Sequence, residues 1–218
     1  MRSSLFAVLV ASACLWQAAH AVKVKLAADG LVIDAGAAGV HTLKYPRLLT
    51  PGDKGLDPEH VTPKDDGSGV TMTYSPSGKL TIDRQPDGGW LFHFTEIPPD
   101  RVKFAFGIQF PLSVIEEGTL WSFDAQTPAP FPATKDKLSL YMGNPGKFVY
   151  QKDKAGFVIT YPQKTWTVFS DQRVWGRKIF GLGQIFYFPG KKTVPEISYR
   201  FVIGDLPEAP ALKSDPAK

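Results

Sequence analysis

A stretch of ten residues, Arg101–Phe110, alternates strictly between large apolar side chains and small or polar ones. The apolar set comprises Val102, Phe104, Phe106, Ile108 and Phe110. A period of two over this length is typical of a long strand with one buried face. Large apolar side chains along one whole face need a second sheet to cover them. The stretch therefore predicts the central strand of a β-sandwich.

Short alternating runs separated by Gly, Pro and Asp continue on both sides of this stretch, and they predict about 14 strands with no helix. The runs are 22–26, 31–33, 40–45, 70–74, 79–84, 90–96, 101–110, 118–124, 138–142, 147–151, 156–161, 165–170, 182–188 and 196–203. No repeat or linker interrupts them. The pattern predicts an all-β fold, a single antiparallel β-sandwich of jelly-roll or super-sandwich type over residues 22–206.

Two segments are expected to carry no strand. Leu48–Gly69 is rich in Pro, Gly and Asp and predicts a long loop. The connector that holds Pro128, Pro130 and Pro132 predicts a rigid extended segment outside the sheets, because proline cannot donate to a strand ladder.

The first 21 residues have the pattern of a secretory signal peptide, which predicts export to the periplasm or beyond. An apolar run follows Arg2, and the small residues Ala19 and Ala21 precede the expected cut before Val22. A second interpretation stays open. Val10–Cys14 resembles a bacterial lipobox, which would make Cys14 a lipid anchor.

The composition disfavours several classes of function. Cys14 is the sole cysteine, so a chain cut after Ala21 has neither a disulfide nor a cysteine metal site. Without Arg2 the 25 basic residues become 24 against 21 acidic ones, and a net charge of +3 does not predict nucleic acid as a partner. The remaining histidines lie at no metal-ligand spacing, so we expect no metal and no cofactor. Residues 207–218, rich in Pro, Ala and Lys, predict a disordered tail.

Aromatic and planar polar side chains in the second half of the chain suggest a carbohydrate ligand. Sugars present flat C–H faces that pack on indole rings, and their hydroxyls bond to amides and charged groups. We therefore predict an exported carbohydrate-binding protein that engages a polysaccharide or oligosaccharide. The predicted contacts are Trp121, Arg173, Trp175 and Gln184. Trp166 shares a face with Val168, which favours a core position for its ring.

Two segments resemble a known class of protein. Phe104–Val114 is an amphipathic run with a Pro-Leu exit, and Gly118–Asp124 is a glycine-initiated run with a tryptophan. Together they resemble the sugar-associated β-sandwich modules of exported bacterial proteins, including the galactose-mutarotase-like sandwiches. The resemblance implies a saccharide ligand. Mutarotases use histidines and a glutamate, and no positions here match them, so the resemblance gives no catalytic residue.

Two alternative functions remain open. A polysaccharide lyase on the same fold would use Tyr187 or His93 to remove a proton while Arg173 and Lys178 neutralise uronate carboxylates. A hydrolase would need two carboxylates facing each other across the sugar. The second alternative is a non-enzymatic periplasmic structural or protein-interaction domain, which docks through an exposed sheet edge or apolar patch. The familiar catalytic motifs are absent, so the sequence assigns no catalytic residue.

Overall fold

The computed structural model describes residues 22–115, 118–161, 165–189 and 197–206. Within these ranges the chain forms strands and three short 3₁₀ turns, so the predicted all-β class is confirmed. No helix in the described part of the chain is long and apolar enough to cross a membrane. The predicted signal peptide, with Cys14, and the predicted tail at 207–218 lie outside the described residues.

The described residues form 18 strands. In chain order they are β1 (Lys23–Ala27), β2 (Gly30–Asp34), β3 (Val40–Lys44), β4 (Arg47–Leu49), β5 (Gly55–Leu56), β6 (His60–Pro63), β7 (Gly69–Thr73), β8 (Lys79–Arg84), β9 (Gly89–Glu96), β10 (Lys103–Pro111), β11 (Thr119–Phe123), β12 (Ala129–Pro130), β13 (Ser139–Gly143), β14 (Lys147–Lys152), β15 (Ala155–Thr160), β16 (Trp166–Asp171), β17 (Ile179–Tyr187) and β18 (Ile197–Asp205).

The strands make two antiparallel sheets of nine strands each. Sheet A runs β1-β2-β3-β10-β17-β16-β13, with β4 paired to β10 and β5 paired to β4. Sheet B runs β12-β11-β14-β15-β18-β9-β8-β7-β6. The predicted central strand, β10, is the fourth of seven on the main path of sheet A, and it pairs with β17 along its whole length.

The prediction of about 14 strands was too low. Each predicted run contains a strand, and the four additional strands are β4, β5, β6 and β12. The predicted loop Leu48–Gly69 holds β5, β6 and the end of β4, and the proline connector holds β12. Both β6 and β12 are edge strands, where a proline can turn the side that lacks an N–H away from the ladder.

Aromatic rings from both sheets fill the space between them. Phe104, Phe106 and Phe186 of sheet A stack nearly parallel, at interplanar angles of 5° to 14°. The Phe106 ring lies 5.5 Å from that of Phe92 and 5.0 Å from that of Phe201, both in sheet B. The sheets therefore pack face to face, as a β-sandwich requires. Because β10 turns its phenylalanines inward, its alternate residues point away from the core.

Candidate functional site

The outward side of sheet A carries two adjacent rows of apolar or small residues. In the first row Ala105, Ile185 and Trp166 are paired across β10, β17 and β16. The second row lies two residues further along the strands, roughly 7 Å away. It comprises Gly107, Gly183, Val168 and Met142 across β10, β17, β16 and β13. We call these seven residues face A. Trp166 is 37% exposed and Met142 is 55% exposed, so face A is open to solvent.

Two glycines form the centre of face A, and the structure requires a glycine at only one of the two positions. A Cβ on Gly107 would lie 2.0 Å from the carbonyl oxygen of Leu182, so the close approach of β10 and β17 forbids a side chain there. A Cβ on Gly183 would have its nearest neighbour 3.9 Å away, and the φ angle of Gly183 lies outside the left-handed region. The fold therefore does not require glycine at position 183. A glycine within a strand that lacks a packing reason often marks the approach of a ligand.

A polar bank borders the glycine row on the side away from Trp166. Gln109 is exposed on β10 and pairs with Gly181 of β17. A Cβ on Gly181 would lie 2.1 Å from Nε2 of Gln172, so the Gln172 side chain lies over that glycine. Its Oε1 accepts a hydrogen bond of 3.1 Å from Arg177. The polar bank (Gln109, Gln172 and Arg177) thus offers carboxamide and guanidinium groups beside the two glycines of the second row.

Beyond the Trp166 row, the exposed ring of Tyr187 makes a cation–π contact with Lys103. Tyr187 is 59% exposed and pairs with Lys103 on β10. The Lys103 ammonium lies 5.4 Å from the centre of the Tyr187 ring and 2.7 Å from Oδ1 of Asp53. The cation–π contact and the ion pair restrict the lysine, so the tyrosine ring has a fixed neighbour at this edge of face A.

These elements form a shallow trough with two chemically different walls. Trp166 and Ile185 supply an apolar wall, and the polar bank supplies hydrogen-bonding groups roughly 13 Å away along the strands. Between them Gly107 and Gly183 leave the backbone uncovered. This arrangement suits a flat ligand with C–H surfaces on one side and hydroxyl groups on the other.

Trp175, a predicted ligand contact, lies at the polar end of face A. It ends the 3₁₀ turn Gln172–Trp175, which joins β16 to β17 and also carries Gln172 of the polar bank. The Trp175 side chain is 60% exposed. Gly176 closes the turn in the left-handed conformation, with a φ of 75°. Trp175 is therefore accessible, and it lies in the same turn as Gln172 of the polar bank.

Arg173, another predicted contact, binds its own protein with all its guanidinium nitrogens. It donates to both carboxylate oxygens of the fully buried Asp171, at 2.8 and 2.6 Å. It also donates to the backbone carbonyls of Pro132, Ala133 and Thr134. Burial alone would raise the pKa of Asp171, but hydrogen bonds from the Arg173 side chain and backbone outweigh it and lower the pKa. Arg173 therefore positions the turn that carries Gln172 and Trp175.

The other two predicted contacts point toward the interior. Gln184 is fully buried, and its Nε2 donates to the hydroxyl of Tyr161 at 2.9 Å. A ligand on the surface does not reach Gln184 in this position. Trp121 is half-buried, and its ring meets the buried Phe169 at 4.8 Å. The structure thus brings Trp175 and Arg173 together in one turn. It places Gln184 and Trp121 on the sides of their strands that face the core.

Trp166, which the sequence favoured as a core residue, lies on the outward side of β16. Its neighbours Thr167 and Phe169 take the inward positions and are both fully buried. The sequence analysis also missed Gly183 and Ile185. A usable signal was present in β17, where Leu182, Gln184 and Phe186 alternate with these smaller residues and predict the inward set. Face A could then have been located from the pairing of β17 with the central strand.

The residue set considered for a lyase is not brought together. Tyr187 lies on the outward side of sheet A, whereas His93 lies on the outward side of sheet B, where its Nδ1 is 2.7 Å from Oγ of Ser198. The packed sheets, about 10 Å apart, separate the two. In the described part of the chain no group of three or more His, Cys, Asp or Glu side chains could hold a metal ion.

Comparisons with known proteins give little further guidance. No family model matches the chain, and no curated protein matches it. Among solved structures, a GH31 family sulfoquinovosidase from E. rectale, in complex with the aza-sugar inhibitor IFGSQ, matches with a TM-score of 0.48 and 8% sequence identity. The match covers 83% of this chain and 32% of the enzyme, so the chain spans about a third of that protein's length. A likeness of this degree carries no argument about function.

Proposed function

We propose that this protein is an exported, non-catalytic carbohydrate-binding β-sandwich that holds a polysaccharide or oligosaccharide on face A. The observation that carries the proposal is the trough itself, in which an exposed Trp166 and a polar bank lie on either side of a row centred on Gly107 and Gly183. The indole would pack on the C–H face of a sugar ring, and Gln109 and Gln172 would bond its hydroxyls. Trp175 extends the aromatic surface at the polar end.

Titration calorimetry with soluble polysaccharides tests this proposal. The panel contains neutral glucans and galactans together with uronate-containing polymers, because the polar bank includes one cation, Arg177. We expect binding to at least one class, and Trp166→Ala should weaken it about tenfold, equivalent to roughly 1.4 kcal/mol. Thr81→Ala, on the outward side of sheet B, is the matched control and should leave the affinity unchanged. If no polysaccharide in the panel binds, or if the two variants bind with equal affinity, the proposal is overturned.

Export is part of the proposal, and one contact supports it. A cut before Val22 would leave a charged α-amino group on that residue, and the Val22 nitrogen lies 2.5 Å from Oδ1 of Asp205 at the end of β18. A carboxylate there would pair with the new terminus. Mass spectrometry of the protein extracted from whole cells of a bacterial host that expresses the full sequence should give an N-terminus at Val22. A lipid-modified Cys14 would favour anchoring instead, and an intact Met1 would contradict export by either route.

A protein-interaction role is a second candidate, because face A also contains aliphatic side chains at a free edge. Met142 is exposed on β13, which among the described strands pairs with β16 alone, and Val168 lies beside it. An edge strand of this kind can accept a further strand from another chain. Met142→Lys should then reduce concentration-dependent association in sedimentation velocity and leave saccharide affinity unchanged. If Trp166→Ala alters only association and never saccharide binding, the interaction role replaces the first proposal.

A further inference from the structure

A second site lies away from face A, in a cleft between one edge of each sheet. The cleft has a volume of about 540 Å³ and lies between β1, the outer strand of sheet A, and β6, the outer strand of sheet B. This volume falls within the range of roughly 300–1,000 Å³ found for small-molecule sites. The cleft is therefore large enough for an organic ligand.

The walls of the cleft are mainly apolar. Val24 and Leu26 come from β1, and Val61, Val70 and the ring of Trp90 come from sheet B. The Tyr45 ring also lines the cleft, but its hydroxyl already donates to the Ala27 carbonyl at 2.6 Å. The tyrosine consequently contributes ring surface rather than a free polar group.

Two cations lie at the cleft, and neither has a partner in the described part of the chain. Lys25 and Arg84 are both exposed, and no carboxylate from residues 22–115, 118–161, 165–189 or 197–206 lines the cleft with them. Other basic side chains in the described residues do form ion pairs; Lys64, for example, lies 2.6 Å from Asp83. The described residues therefore supply no counter-ion to Lys25 and Arg84 at this apolar cleft.

A third polar group is available beside Arg84. Trp90 stands directly opposite Arg84 in the β8–β9 pair, so their Cβ atoms are about 5 Å apart. Trp90 is 97% buried. Its indole N–H makes no hydrogen bond to a described residue, although it is not sealed from solvent. An acceptor in the cleft would replace solvent as the partner of this N–H.

We propose that this cleft binds a single-chain amphiphile with an anionic head, such as a monomeric fatty acid. The carboxylate would sit against the Arg84 guanidinium and accept the Trp90 N–H, because bonds to charged groups are the stronger ones. The hydrocarbon chain would lie along Val24, Leu26 and Val61. Lys25 would add to the positive field at the rim.

Titration calorimetry of the whole protein with monomeric laurate, dodecyl phosphate and dodecanol tests the proposal. We expect laurate and dodecyl phosphate to bind with a stoichiometry of one, and dodecanol to bind at least tenfold more weakly. Arg84→Gln should reduce laurate affinity at least tenfold and leave dodecanol affinity unchanged. Trp90→Phe, which keeps an aromatic wall and removes the N–H, should weaken laurate binding by a smaller factor.

Two controls make failure informative. Arg200→Gln removes an exposed cation elsewhere on sheet B, and Trp166→Ala removes the aromatic wall of face A; both should bind laurate as the unaltered protein does. Circular dichroism melting verifies that each variant is folded. Equal affinities for laurate and dodecanol, equal effects of Arg84→Gln and Arg200→Gln, or binding to phosphatidylglycerol vesicles without binding to monomeric laurate would each overturn the proposal. Since face A is a separate site, none of these results bears on saccharide binding.

Discussion

Two rows of paired residues, one on the outward side of each sheet, come from the same kind of strand but carry opposite chemistry. On sheet B a row of hydroxyl and imidazole groups crosses five neighbouring strands. We call this row face B, and it comprises Thr62, Thr71, Thr81, His93 and Ser198. Antiparallel sheets usually place polar residues on the side that meets water. Face B follows this rule, and face A does not.

The two faces also differ in whether side chains cover the glycines beside them. Beside face B, a Cβ on Gly69 would lie 2.1 Å from a carboxylate oxygen of Asp83, and one on Gly89 would lie 2.6 Å from the guanidinium of Arg200. Charged side chains therefore cover both glycines. Gly183 of face A has no such cover. The contrast holds beside face B itself, whereas Gly204, further along β18, is as open as Gly183.

The largest expected effect concerns the turn that supports the polar end of face A. Arg173→Ala removes the partner of a fully buried carboxylate, so we expect a loss of about 3 kcal/mol in the free energy of unfolding. Urea denaturation measures this loss. Arg173→Lys should recover only part of it, because an ammonium cannot replace the forked contact with Asp171.

The same variant distinguishes support from ligand contact. In conditions where Arg173→Ala is still folded, saccharide affinity should fall together with the order of the Gln172–Trp175 turn. The Trp175 contribution to fluorescence, obtained as the difference from the same protein carrying Trp175→Phe, reports that order because the other tryptophans also emit. Loss of affinity with an unchanged Trp175 signal and unchanged stability would mean that Arg173 itself touches the ligand, as the sequence analysis predicted.

Acid should affect both faces together, because His41 lies in the core that they share. Its ring is buried among Phe110, Tyr150 and Phe157, and Nε2 donates to the Ala38 carbonyl at 2.8 Å. Burial lowers the pKa of His41, and the Ala38 hydrogen bond offsets this only in part. As the pH falls, His41 therefore becomes protonated near pH 6.5 in the unfolded chain but only at a lower pH in the folded protein. The stabilising contribution is present above that pH and is lost as the pH falls through the lowered folded value.

Melting temperatures measured from pH 7.5 to 5 check this prediction. We expect a steady decrease toward acid in the unaltered protein and a flatter profile in His41→Gln, which keeps a donor for the Ala38 carbonyl. His60→Gln, at an exposed position on β6, is the control and should keep the original slope. A slope that survives in His41→Gln would show that other groups carry the acid sensitivity.

Alternation in the sequence was sufficient to predict 14 of the 18 strands and the central role of β10. It identifies which residues share a side of a strand, however, and not which side is inward. In β10 the two sets differ so strongly that the choice is clear. In β16 they do not: Trp166 and Val168 compete with Thr167 and Phe169 for the core. The buried Asp171 belongs to the inward set, and its position depends on Arg173, which alternation cannot reveal.

The missed strands have a different cause. Proline and glycine argue against strands in general, yet an edge strand needs ladder bonds on one side only. Pro130 pairs with Leu120 at the outer edge of sheet B, and Pro63 pairs with Val70 at the opposite edge. Whether a segment is central or at an edge depends on the order of strands in the sheet. That order is a property of the whole fold.

A smaller effect, which is an increase in stability, is expected from a substitution at the centre of face A. Gly183→Ala should raise the free energy of unfolding by about 0.5 kcal/mol, because alanine costs less conformational entropy in a strand and the site has room for a Cβ. The new methyl group would stand in the trough, so saccharide affinity should decrease. Gly89→Ala beside face B would displace Arg200 and should not change that affinity. A stabilised Gly183→Ala with undiminished binding would contradict the placement of the ligand.

The smallest effect is expected from the charges that cover face B. Arg200 pairs with the exposed Asp87 across a solvated surface, and hydrogen bonds from Arg200 and from the Gly89 backbone lower the pKa of Asp87. Exposed pairs of this kind contribute little to stability, since water solvates both charges in the unfolded chain. Arg200→Ala should therefore leave the urea midpoint and the saccharide affinity unchanged within error. If Arg200→Ala weakens saccharide binding as much as Trp166→Ala does, the ligand contacts sheet B, and the assignment of the binding site to face A is wrong.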